Sequence, residues 1–197
     1  FFAIICSIGL APINDASAAE NTVIDTITVG TAPEGIAFDS ANQRMYVTNN
    51  TDGTVSVIDT TTNAVTGPLT VGTGPADIAF DSANNRMYVT NYIDGTVSVI
   101  DTTTNAVTGP LTVGTGPADI AFDSANNRMY VTNFADDTVS VIDTATNAVT
   151  GPLTVGAGAY GIAFDSANNR MYVANNTDGT VSVIDTATNA VTGPLTV

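Results

Sequence analysis

Carboxylates are the side chains of this chain best able to do chemistry. Nineteen Asp and Glu stand against four Lys and Arg, and there is no His. The one cysteine, Cys6, lies in the apolar start of the chain. Without His or another thiol, neither a Ser-His-Asp nor a Cys-His pair can form, zinc lacks its usual ligands, and haem has no axial His. Two carboxylates can still work as general acid and base, but no spacing read from the sequence sets two of them on one site. The chain on its own therefore reads as non-enzymatic, with no catalytic residue, no metal and no cofactor assigned.

Some acids invite a cation. Asn50-Thr51-Asp52-Gly53, echoed at Asn176-Thr177-Asp178-Gly179, combines oxygen side chains with a Gly bend. Each copy offers one carboxylate and lacks the downstream bidentate acid of a calcium loop, so turn formation is the simpler reading and calcium the alternative. Asp39, Asp81, Asp123 and Asp165 are expected to make side-chain turns, or surface pairs with the Arg after each loop worth roughly 0–1 kcal/mol.

These residues recur because the chain repeats. Ile36-Ala37-Phe38-Asp39-Ser40-Ala41-Asn42 returns from Ile78, Ile120 and Ile162, a constant step of 42 residues, and each unit carries one Arg and one Met. Val and Thr suit strands, and Asn, Asp and Gly suit turns, so the chain reads as all-β. In the second unit the pattern predicts strands over 77–81, 86–91, 96–101 and 106–113, with Asp94-Gly95 as a turn of positive φ. Met87, Val89, Val97 and Val99 alternate with Tyr88, Ser98 and Ile100, so apolar groups occupy both faces, as a sheet between two neighbours requires. Four short antiparallel strands per unit match one blade of a β-propeller. A solenoid is the runner-up, although such coils usually have shorter periods.

The expected blades cover about 35–71, 77–113, 119–155 and 161–197, preceded by a lone fourth-type strand at 21–29. That strand finds no partner among the four blades, so the chain is expected to be a fragment of a larger ring. A closed four-blade ring with the strand set aside is the alternative.

Tyr46-Val47-Thr48-Asn49 recurs at Tyr88 and Tyr130 and, as Tyr172-Val173-Ala174-Asn175, in the last unit; Thr-Val-Ser-Val-Ile-Asp-Thr follows each copy. From about Asn21 to Val197 the chain resembles the YVTN β-propeller repeat family. The resemblance implies a secreted or surface-layer-like protein, often of seven blades, with kinship to the propellers of some periplasmic enzymes.

Differences between units gather in two sets of loops, which a propeller places on one rim. Between the second and third strands the pairs are Asn50-Thr51, Tyr92-Ile93, Phe134-Ala135 and Asn176-Thr177. The connectors between units read Pro33-Glu34-Gly35, Pro75-Ala76-Asp77, Pro117-Ala118-Asp119 and Ala159-Tyr160-Gly161. Tyr92, Phe134 and Tyr160 are the candidate aromatic contacts, with Asp77, Asp119 and Glu34 near the channel mouth; loops on rigid scaffolds commonly carry function, and Tyr is a frequent anchor. Neutral drift in unconstrained turns would give the same variation.

The expected role is an extracellular scaffold presenting this rim to a protein or glycan partner at the cell surface. The alternatives are the propeller of a lactonase-like or dehydrogenase-associated enzyme with catalytic groups elsewhere, and a self-associating surface layer. Residues 1–18 have the apolar run and the small-x-small Ala16-Ser17-Ala18 of a signal peptide, which puts the chain outside the cell or in the periplasm with no membrane span after cleavage. Asn-x-Thr sequons begin at Asn49 and Asn175. A net charge of −15 opposes nucleic-acid binding.

Overall fold

The computed structural model describes residues 23–196, and every regular element among them is a β-strand. The first blade comprises β1 (Pro33–Asp39), β2 (Arg44–Asn49), β3 (Thr54–Asp59) and β4 (Val65–Thr70). The second holds β5 (Pro75–Asp81), β6 (Arg86–Asn91), β7 (Thr96–Asp101) and β8 (Val107–Thr112). The third holds β9 (Pro117–Asp123), β10 (Arg128–Asn133), β11 (Thr138–Asp143) and β12 (Ala148–Thr154). The fourth holds β13 (Ala159–Asp165), β14 (Arg170–Asn175), β15 (Thr180–Asp185) and β16 (Ala190–Thr196). Each blade is a four-stranded antiparallel meander in sequence order. The first strands of successive blades, β1, β5, β9 and β13, are neighbours around the axis.

First strands open at the connector residue Pro or Ala, two residues before the expected start. A register shift lies between Pro75 and Ile78, so Ala76 and Asp77 fall out of the regular ladder. A Thr side chain takes over there: Asp77 N donates to Thr90 Oγ1 at 2.9 Å, and Thr90 Oγ1 donates back to Asp77 O at 3.3 Å. Gly95 has the positive φ expected of the Asp-Gly turn, 65°. The fourth strands carry Gly-Pro, tolerated because on an edge strand the missing N–H breaks no ladder bond.

The core is at the seams. Tyr46, Val55 and Val57 of the first blade pack against Ile78, Met87, Val89 and Ile100 of the second. Equivalent groups fill the next two seams. This explains the two-faced apolar pattern, because each sheet gives one face to the blade before it and the other to the blade after. The described blades form an open arc and not the closed four-blade ring: Ile36 is 58% exposed on the first blade, whereas its equivalents Ile78 and Ile120 are 4% and 5% exposed.

Every letter of the Tyr-Val-Thr-Asn motif has a task. Tyr88 Oη crosses the seam to Asn147 Oδ1 at 2.7 Å. Val89 is buried in the core. Thr90 also donates to Ala118 O of the next blade at 3.4 Å. Asn91, fully buried, donates to Thr96 Oγ1 and Ser98 Oγ, both at 3.0 Å, and accepts from Gly72 N at 3.1 Å. In the fourth blade Gly156 N turns instead to Ser182 Oγ at 3.2 Å, and Asn175 Oδ1 is left buried without a partner.

Two expectations need correction. Asp39, Asp81 and Asp123 are fully buried and not surface groups. They do form turns, Asp81 Oδ1 accepting from Ala83 N at 2.9 Å and Asn84 N at 3.2 Å. Arg86 reaches across the seam to Thr144 O at 3.1 Å, as Arg44 and Arg128 reach Thr102 O and Thr186 O at 3.2 Å, because the next blade's turn lies within their span. The lone strand expected at 21–29 does not pair as one over residues 23–29. Thr28 and Val29 lie beside β4 as Thr70 and Val71 lie beside β8, the place of a preceding blade's last strand, but no third strand is there to pair with it among the described residues. The whole signal-peptide-like segment 1–18, with Cys6, lies outside the described residues.

Candidate functional site

The six residues singled out on the variable rim line two adjoining cavities. Glu34, Tyr92, Phe134 and Tyr160 border one of about 250 Å³, together with Asn50. Glu34, Asp77, Asp119 and Tyr160 border the second, of about 280 Å³, nearer the axis. Glu34 and Tyr160 belong to both walls, so the two spaces are halves of one site.

The repeat itself brings the aromatics in. Tyr92 and Phe134 hold the same place in the loops β6–β7 and β10–β11, and each leans on the connector entering the next blade. The Tyr92 ring lies over Gly116, where a Cβ would come within 3.3 Å of it. Phe134 meets Tyr160 edge to face, with ring centres 6.0 Å apart at 88°. Glu34 is fixed by Asn50, whose Nδ2 donates to Oε2 at 2.8 Å.

Asp77 and Asp119 are half-buried at equivalent places on β5 and β9, and their carboxyls are close enough to share the Ile120 amide as a donor. Burial, and then the neighbouring Asp119 carboxyl, push Asp77 up to about 7. Backbone amides partly oppose this: Ile120 N donates to Asp77 Oδ2 at 3.2 Å. Asp119 accepts from Ile120 N at 2.7 Å on Oδ1 and from Ile162 N at 2.9 Å on Oδ2. Like charges in such proximity cannot both ionise readily, so Asp77 keeps its proton up to about 7. Thr132 locks the backbone behind Asp119, accepting from Asp119 N at 3.0 Å and donating to Tyr160 O at 2.7 Å.

This pairing corrects the expectation that no two carboxylates share a site. Its signal was present: Asp77 and Asp119 are one repeat apart at the same register on neighbouring axial strands. In the first and fourth blades that position is glycine. Gly35 is obligatory by space, since a Cβ there would come 2.7 Å from Ala76 O and 2.8 Å from Asp77 Cα. Asn50's hold on Glu34 and the roles of Thr132 and the Ile120 and Ile162 amides were also missed, because they depend on contacts between strands and between blades.

The acids of the suspected calcium loops have another task. Asp52 Oδ2 accepts from Thr31 N at 2.7 Å, and Asp94, Asp136 and Asp178 hold Thr73, Thr115 and Ala157 in the same way. Each ties the connector entering its own blade. Among the described residues no three His, Cys, Asp or Glu cluster to hold a metal.

The chain belongs to the lactonase, seven-bladed β-propeller family, whose model matches residues 8–196. No curated protein matches the sequence. Among solved structures, Kuenenia stuttgartiensis hydrazine synthase superposes with a TM-score of 0.77 at 22% identity, over 88% of this chain and 51% of that one. A streptogramin B lyase structure gives 0.70 at 18%, over 83% and 54%. Both likenesses show the propeller fold, and this chain spans about half the length of each. Membership in a lactonase family overturns the non-enzymatic expectation. That expectation rested on the missing His and Cys, which a carboxyl pair does not need.

Proposed function

We propose that this chain is the propeller of a lactonase-like enzyme that opens a cyclic ester at the Asp77–Asp119 pair. The observation carrying this reading is the pair itself, two neighbouring half-buried carboxyls, with Asp77 raised to about 7, in an open cavity bordered by Tyr160 that adjoins the aromatic-lined one. The ionised member takes a proton from water, whose oxygen adds to the ester carbonyl carbon. The protonated member gives its proton to the ring oxygen as the acyl C–O bond breaks. The product is a hydroxy acid, and the pair again holds one proton. General acid–base catalysis of this kind contributes typically about 10²–10⁴-fold.

The test is acid release from a panel of neutral five- and six-membered lactones. D77N and D119N should each lower kcat by at least about 100-fold while retaining the folded spectrum. Undiminished hydrolysis in the double variant, or no hydrolysis of any lactone by the native chain, would overturn the reading. The leader-like residues 1–18 support an exported enzyme, which fractionation of the producing cell would check.

A further inference from the structure

We infer that the outer cavity, bordered by Tyr92, Phe134, Tyr160, Glu34 and Asn50, binds an organic ammonium group, so that the ligand is a cation carrying methyl or methylene groups on nitrogen. Three aromatic side chains, from the β6–β7 loop, the β10–β11 loop and the start of β13, converge there, in a space of about 250 Å³. The quadrupole of such rings attracts a cation, and most strongly one with apolar substituents that is readily desolvated. Phe134 and Tyr160 hold each other edge to face, so the wall is built before any ligand arrives. Glu34 adds a carboxylate held in place by Asn50.

Charge across the molecule favours the same class. The four basic side chains are Arg44, Arg86, Arg128 and Arg170, and there is no Lys or His. All four stand at the start of a second strand, the end of the blade away from the cavities, and three are engaged with the next blade's Thr carbonyl. Among the described residues no cation neutralises Glu34 or the nearby aspartate pair. A phosphate or carboxylate on the ligand would meet uncompensated negative charge there, whereas an ammonium group supplies the missing counter-charge.

As the substrate's non-reacting end, the ammonium group depends on the lactonase-like reading; as a bound group it does not. Choline and its uncharged isostere 3,3-dimethylbutan-1-ol are therefore used as probes, with binding followed by tyrosine fluorescence and by ligand NMR line width, neither of which needs turnover. Choline should bind at least about threefold more tightly than the isostere, and Y160L and F134L should each remove most of that preference while Y160F keeps it. Tyr160 is 55% exposed, so its replacement leaves the core intact. Equal binding of choline and the isostere, no binding of choline, or a preference that survives in the Y160L/F134L double variant would overturn the inference. Loss of lactone hydrolysis in D77N bears only on the earlier reading.

Discussion

Asp77 and Asp119 converge on one backbone amide: Ile120 N donates to Asp77 Oδ2 at 3.2 Å and to Asp119 Oδ1 at 2.7 Å. A side chain of the second blade and one of the third are thus joined through the third blade's own main chain. The seam between blades and the candidate acid–base pair are the same object, so stability and chemistry respond to the same proton.

The pH dependence of stability follows with its sign. Folded Asp77 keeps its proton up to about 7, against 3.8 for an ordinary aspartate. The folded state then binds more protons between those values, and stability falls as pH rises from about 4 to about 7. Asp59 and Asp101 act in the opposite sense. Hydrogen bonds from Thr61 and Thr103 hold them at about 2, so their contribution is present above about 4 and lost as pH falls toward 2. Thermal unfolding should show a maximum near pH 4. D77N should flatten the neutral side and leave the acid side unchanged, which separates Asp77 from the general self-repulsion of a chain of charge −15.

Two glycines at equivalent places should differ sharply. G35A drives a methyl into the backbone of β5 and is expected to cost about 1–3 kcal/mol. At Gly161 the nearest atoms to an added Cβ are 3.9 Å away, and G161A should stay within about 0.5 kcal/mol. Urea unfolding of the two variants side by side checks this.

Thr132 lies behind the pair, and its hydroxyl serves both Asp119 N and Tyr160 O. T132V keeps the shape but strands a buried donor and an acceptor, for an expected loss of about 1–3 kcal/mol, while T132S should recover most of it. Denaturant midpoints for the three proteins are the measurement.

Tyr130 reports on the seams. Its hydroxyl donates to Asn189 Oδ1 at 2.7 Å, and its ring is fully buried between the third and fourth blades. Y130F should cost about 0.5–1.5 kcal/mol and Y130A on the order of 3–5 kcal/mol, read from thermal or urea unfolding.

Much of this architecture was legible because repetition shows itself in one sequence. The 42-residue step, the alternation around Met87 and Val89, and the Asp94-Gly95 turn are local signals, and they located blades and strands. The rim residues were legible for a related reason: against three near-identical copies, a change such as Asp77 to Gly161 is visible by eye. What could not be read were relations between blades. Pairing Asp77 with Asp119 requires knowing that first strands lie side by side in register, and the reach of Arg86 to Thr144 requires the spacing of sheets. The early start of β5 was hidden because side chains from other strands supply bonds that the ladder lacks there, Thr90 at Asp77 and Thr48 at Ala76 O.

The contacts at every seam use the same partners, Tyr to Asn, Arg to a Thr carbonyl and Thr to a connector carbonyl, whichever two blades meet there. Whole units are therefore interchangeable parts. Exchange of one 42-residue module for another by recombination would carry Phe134 or Tyr160 to a new angle around the axis while keeping these seam contacts. A lineage built this way can reshuffle its rim while its joints stay the same.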